Sequence, residues 1–158
     1  MSVYSALRST ITPSLTADNW TLSALTNGTT TTNSCRVVAV HWGGEVTTST
    51  AMQTEVKRPT TASVGAITAI TKGTAHPNSV PICVVASTWA TTQAVIPAVG
   101  VGVLIGESWN AHGGIFYWHA GNADEELVLL GNILTGQISC RNFTGTGTSS
   151  YGLTYRED

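Results

Sequence analysis

The sequence predicts an all-β protein: an antiparallel β-sandwich of jelly-roll type, preceded by an N-terminal extended arm. Three observations carry that reading. About ten short apolar runs, rich in β-branched and aromatic residues, recur at spacings of roughly 8 to 15 residues. Gly, Asn or Asp stands at most of the junctions between them. No run keeps apolar residues at helical spacing over three turns, and no repeat of fixed period suggests a propeller or solenoid.

Taken in order, residues 1–34 are dominated by Thr, Ser and Asn, with isolated anchors at Tyr4, Leu7, Ile11, Leu15, Trp20, Leu22 and Leu25. Such a segment cannot build a core by itself. It reads as an arm packed on the body or on a neighbouring subunit, with Trp20 as anchor, or as a short first strand over 19–25. SALRS reads as at most one helical turn, ended by Thr10, Thr12 and Pro13, and NGTTTTNS as a flexible loop. The arm or first strand then covers 1–28 and the sandwich domain 29–158.

CRVVAVHW alternates poorly and reads as a strand buried on both faces, whereas TAMQTEVKR sets Met52, Thr54 and Val56 against Gln53, Glu55 and Lys57 and reads as half-exposed. Gly43-Gly44 marks the turn between them. SVGAITAITKG is the next strand, AHPNS a turn, and PICVVASTW a strongly apolar and hence central strand. VLIGESWN, GIFYWHA, EELVLLG, QISCRNFT and YGLTYRE complete the set. Two sheets of four strands would hold eight of these and leave the arm outside.

Composition narrows the function classes. Only 10% of the 158 residues are charged, and the formal net charge is −2. That balance lacks the basic face that nucleic-acid binders carry, so no direct nucleic-acid partner is expected. A charge-poor, hydroxyl-rich surface fits a protein whose faces are covered in an oligomer or lattice. The stretch VIPAVGVGVLIG is too short for a membrane span and is broken by Pro97 and glycines. MSVYSALRST lacks the apolar segment of a signal peptide, and the three cysteines, Cys35, Cys83 and Cys140, read as small buried hydrophobes, although a disulfide between two of them stays open. Assembly in a reducing cytoplasm is expected.

The segment from Val103 to Cys140 is where chemistry would be sought. His112 and His119, with His41 and Cys140 elsewhere, lack the closely paired spacing of a zinc site. Asn122, Asp124, Glu125 and Glu126 offer oxygen ligands for calcium, but a solvated acidic turn is the stronger reading. Glu107 has no second carboxylate or base at a recognisable separation. No catalytic residue, metal or cofactor is assigned.

The five tryptophans, Trp20, Trp42, Trp89, Trp109 and Trp118, divide two functional readings. As a stacking platform for a sugar ring they would make the chain a lectin-like module. As core and subunit-interface anchors near strand ends, with the indole N–H reaching a loop carbonyl, they would make it structural. The second reading is favoured.

ESWNAHGGIFYWHAGNADEELVLL, the ending SYGLTYRED, and the Thr-rich opening followed by CRVVAVHW together resemble small structural proteins of tailed bacteriophages. The resemblance covers about Thr29 to Asp158, and it departs from the pattern at GNAD, where a proline-rich turn is expected. It implies a non-enzymatic β-sandwich on the exterior of the virion capsid, a decoration or cement protein that binds the major capsid protein and commonly forms a homotrimer. Leu7, Ile11, Leu15, Trp20 and Trp109 are the candidate partner-binding residues. The alternative is a lectin-like carbohydrate-binding jelly-roll module of a phage fibre or spike.

Overall fold

Side chains that alternate inward and outward, with the phase reset in places by one extra residue, organise the chain into two antiparallel sheets. The computed structural model describes residues 2–12, 17–25, 30–75, 80–89, 96–132, 136–145 and 147–158. Among them are twelve strands and no helix: β1 (Ser2–Ile11), β2 (Asp18–Ser23), β3 (Ser34–Gly44), β4 (Ala51–Lys57), β5 (Ile67–Ala69), β6 (Lys72–Thr74), β7 (Val84–Trp89), β8 (Val103–Asn110), β9 (Ile115–His119), β10 (Leu127–Leu130), β11 (Gln137–Thr144) and β12 (Ser149–Glu157). The first sheet runs β10-β3-β12-β1-β6 with β9 also on β3; the second runs β5-β7-β2-β11-β4-β8. The two pack face to face as a sandwich. Each holds six strands, not the four of the eight-stranded arrangement expected.

The segment expected as an arm or a short first strand is drawn into both sheets. β1 lies between β12 and β6, in register from Ser2↔Glu157 to Arg8↔Tyr151, and β2 lies between β11 and β7. Pairing therefore crosses residue 28, and SALRS is strand, not a helical turn. The physical reason is burial. Tyr4 and Ala6 of β1 and Trp20 and Leu22 of β2 face the inter-sheet core, so these isolated anchors find their partners across the sandwich rather than on a neighbour.

The weak alternation of CRVVAVHW has a different cause from burial on both faces. Cys35 and Val37 point inward, then β3 carries one extra residue opposite the Thr154/Tyr155 step of β12, after which Val40 and Trp42 point inward. A single inserted residue flips the side-chain phase, so one face stays apolar through a pattern that looks continuous. TAMQTEVKR is corrected in the opposite sense. Met52, Thr54 and Val56 face inward as expected, but Glu55 and Lys57, on the outer face, are buried as well. The 96–100 segment covers them, with Lys57 Nζ donating to the carbonyls of Pro97 and Ala98 and the Gly100 N–H donating to Glu55.

SVGAITAITKG is two strands. β5 pairs β7 in the second sheet, whereas β6 pairs β1 in the first, so the chain crosses between sheets at the buried Ile70. β9 and β10 pair with the same edge of β3, at 39–43 and 34–37, and form one edge interrupted by the 120–126 excursion. Leu15 and the turns expected at 27–28 and 76–79 lie outside the described residues.

Candidate binding surface

Where the first sheet turns its outer face to solvent, register aligns an apolar row across four strands. Tyr117 of β9 pairs His41 of β3, His41 pairs Gly152 of β12, and Gly152 pairs Leu7 of β1. Gly152 is required there by close approach: a Cβ on it would stand 2.0 Å from the His41 ring. The imidazole thus lies across the strand backbone between Tyr117 and Leu7. Its ring centroid is 6.4 Å from that of Tyr117, and Tyr117 is 6.3 Å from His119 with planes 12° apart. Rows on either side are small, formed by Gly43 and Ser150 beside Ile115, and by Ala39, Thr154 and Ser5 beside His119. The result is a shallow floor of Gly, Ala, Ser and Thr bordered by Leu7 (57% exposed), Tyr117 (62%) and Ile115 (82%).

This zone contains no Asp, Glu, Lys or Arg. Burial against the sheet pushes the His41 imidazole below its ordinary value, which favours the neutral ring. Charge on the same face collects at the opposite end of β3 and β12, where Arg36 pairs Asp158 at 2.7 Å and Arg156 pairs Glu126 at 2.6 Å. A neutral aromatic zone therefore sits beside an ion-paired one.

The residues expected at a partner surface separate. Leu7 is exposed within the row just described. Ile11 is partly buried against the core. Trp20 and Trp109 are 1% and 8% exposed, and their positions correct the expectation that they reach a partner: both rings fill the protein's own core. Trp109 stands edge-on to Tyr151 at 6.4 Å and its indole N–H donates to the Thr54 hydroxyl at 3.0 Å. Trp42 is buried and stacks on Phe116 at 4.1 Å. The indole N–H groups of Trp20 and Trp42 have no acceptor among the described residues, so the expected reach to a loop carbonyl is not made by these two. Trp118 packs partly buried on the core, and the Trp89 side chain lies outside the described residues. Among the described residues, a tryptophan platform is thus not what the accessible surface presents. Tyr117 and Ile115 were missed because a run as apolar as GIFYWHA reads as buried. Its alternation of exposed Ile115, Tyr117 and His119 with half-buried Phe116 and Trp118 was the available signal.

The remaining constellations are dispersed or engaged. Glu125 accepts from the Gly121 N–H and from Asn122 Nδ2, while Glu126 pairs Arg156. Cys140 is buried in the core, whereas His41 and His119 lie on the outer face of the other sheet; His112 Nδ1 contacts the Val46 carbonyl at 3.0 Å. Among the described residues no group of three or more His, Cys, Asp or Glu stands close enough to hold a metal ion. Cys35, Cys83 and Cys140 are free and buried. Among the same residues no helix is long and apolar enough to cross a membrane. No protein-family model, curated protein or solved structure matches the chain.

Proposed function

We propose that this chain is a non-catalytic structural module that docks through the neutral outer face of its first sheet. Following the likeness to small bacteriophage structural proteins, we read it as a virion component, a capsid decoration or cement protein. In that role it binds the assembled major capsid lattice from outside as a homotrimer, after synthesis in the host cytoplasm. The observation that carries the reading is the exposed Leu7, Ile115 and Tyr117 border around a floor of small residues, on a chain with only 10% charged residues. Neutral, aromatic-bearing patches of this kind suit protein contact, where charge is depleted and Tyr enriched. A cement protein stabilises the shell by binding the assembled lattice in preference to free subunits, and symmetry lets a modest contact act many times over.

The test compares heat resistance of particles with and without the protein, and particle binding by wild type and Leu7→Ser/Tyr117→Ser. Particles lacking the protein should lose heat resistance, and the double variant should fold normally yet bind at least about tenfold more weakly, the scale of losing one interface anchor. Equal heat resistance, or unchanged binding by the double variant, overturns the reading.

A second reading rests on the flat Tyr117 ring flanked by His41 and His119, which could stack on a sugar in a fibre or spike module. Glycan binding that Tyr117→Ala abolishes, by a protein that does not attach to capsids, would select it.

A further inference from the structure

At the end of the sandwich where β1 leaves the first sheet and β2 enters the second, a cavity of about 100 Å³ opens between them. Its polar lining is Arg8, Thr12, Asp18, Asn19, Ser87 and Thr88, with Ile11 and Ala17 as apolar wall. Arg8 follows Leu7 on β1 and so turns to the inner side, where Nη1 donates to the Asn19 carbonyl at 2.6 Å and the Asp18 carbonyl at 3.4 Å. Neither contact neutralises its charge. The nearby carboxylate, Asp18, is buried and taken up by Arg141 at 2.8 Å and 2.7 Å and by the Thr21 hydroxyl at 2.9 Å. Asp18 lines the cavity but its carboxylate is engaged by Arg141 from outside it, so the three groups together carry one positive charge in excess, and that charge is the one on Arg8. Glu45, the other acid in the neighbourhood, accepts from the Thr10 N–H and does not line the cavity.

We infer that this cleft is a binding site for a small oxyanion, a carboxylate or phosphate group held by Arg8 and the hydroxyl of Thr12. Nε and Nη2 of Arg8 have no acceptor among the described residues, and a guanidinium edge matches two oxygens of an oxyanion in one plane. Ser87 and Thr88 donate their hydroxyl protons to the carbonyl and hydroxyl oxygens of Thr68, so they shape the rim and leave donation to the anion to Arg8 and Thr12. The position of Ser87 and Thr88 is fixed by the ladder of β7. Desolvation in the cleft also lowers the Arg8 pKa, a cost that a bound anion would offset. The strand departs from regular register between Arg8 and Ile11, where Thr10 adopts φ of 55°, and this bend is what swings Ile11 and Thr12 around the mouth of the cleft. Against about 30 Å³ per water in the liquid, the cavity of about 100 Å³ has room for about three waters, the size of a small oxyanion.

The test is titration of the isotope-labelled full chain with sodium acetate and, separately, sodium phosphate at constant ionic strength, read by backbone amide shifts. Saturable shifts confined to residues 8–12, 17–19 and 87–88 are expected with at least one anion. Acetate alone assigns a carboxylate ligand, phosphate alone a phosphate, and both a general oxyanion site. Arg8→Gln should weaken binding at least about tenfold, the scale of one charge-assisted hydrogen-bonded pair. Thr12→Val, at an exposed rim position that does not threaten folding, should weaken it severalfold and decides the matter if Arg8→Gln does not fold. Non-saturable shifts, shifts reproduced by sodium chloride, unchanged affinity in a folded Arg8→Gln, or, where that variant does not fold, unchanged affinity in Thr12→Val overturn the assignment.

Discussion

At the residue scale, the contact with the largest consequence is one whose cover the sequence does not display. Lys57 and Glu55 form an ion pair at 2.5 Å with side chains 0% and 3% exposed, and the Lys57 ammonium also lies 4.3 Å from the centre of the Phe143 ring. Such a pair adds little over an apolar equivalent, but removing one partner strands the other charge. Lys57→Met is therefore expected to destabilise by about 3–5 kcal/mol, and Glu55→Gln/Lys57→Met by clearly less, in a double-mutant cycle read by urea unfolding. An additive cycle would show the pair to be unimportant. His41 carries the pH dependence. Its folded pKa lies below the unfolded value of about 6.5, so the unfolded chain binds more protons between the two. Stability is then full above about pH 6.5 and falls as pH drops through the folded pKa. Thermal melts across that range should show the decline, and His41→Asn should flatten it.

At the scale of elements, β1 decides whether the N-terminal segment is accessory or structural. It contributes Tyr4 and Ala6 to the core, Tyr4 stacks on Tyr155 at 5.4 Å, and its loss would free the edges of both β12 and β6. Deleting residues 1–12 is expected to abolish cooperative unfolding, as seen by circular dichroism on heating. A deleted form that melts like the full chain would return the segment to the status of an arm. Reading this from sequence failed for a definite reason. Tyr4, Ile11 and Trp20 sit among Thr, Ser and Asn, and local composition cannot tell an anchor that lands on a neighbour from one that lands in the protein's own core. By contrast QISCRNFT, VLIGESWN and PICVVASTW were legible as strands because their apolar content and bounding turn residues are local properties, and β11, β8 and β7 lie within them.

At the scale of the whole molecule, the principal ladders join distant parts of the chain: β1 to β12, β2 to β11, β3 to β12 and β4 to β11. Loop closure must precede most of the stabilising contacts, so refolding is expected in roughly milliseconds to seconds. Stopped-flow fluorescence of the buried Trp20, Trp42 and Trp109 checks this, and a microsecond phase carrying the full amplitude would contradict it. The same long-range pairing creates both candidate surfaces. Leu7, Gly152, His41 and Tyr117 come from four strands, and Arg8, Asn19 and Ser87 from three.

What the amino-acid sequence determined by itself is the all-β class, the absence of helical periodicity, the neutral composition and the positions of most strands, because hydrophobic period and turn chemistry act over a few residues. Tertiary structure alone decided which side of each strand meets solvent. A single bulge in β3 sets the phase that puts His41 outside and Trp42 inside, and the segment at 96–100 buries charges on β4 that alternation places at the surface. Phase and cover depend on what lies across the strand, and for this chain the partner lies, in the case of β1 and β12, at the opposite end of the sequence.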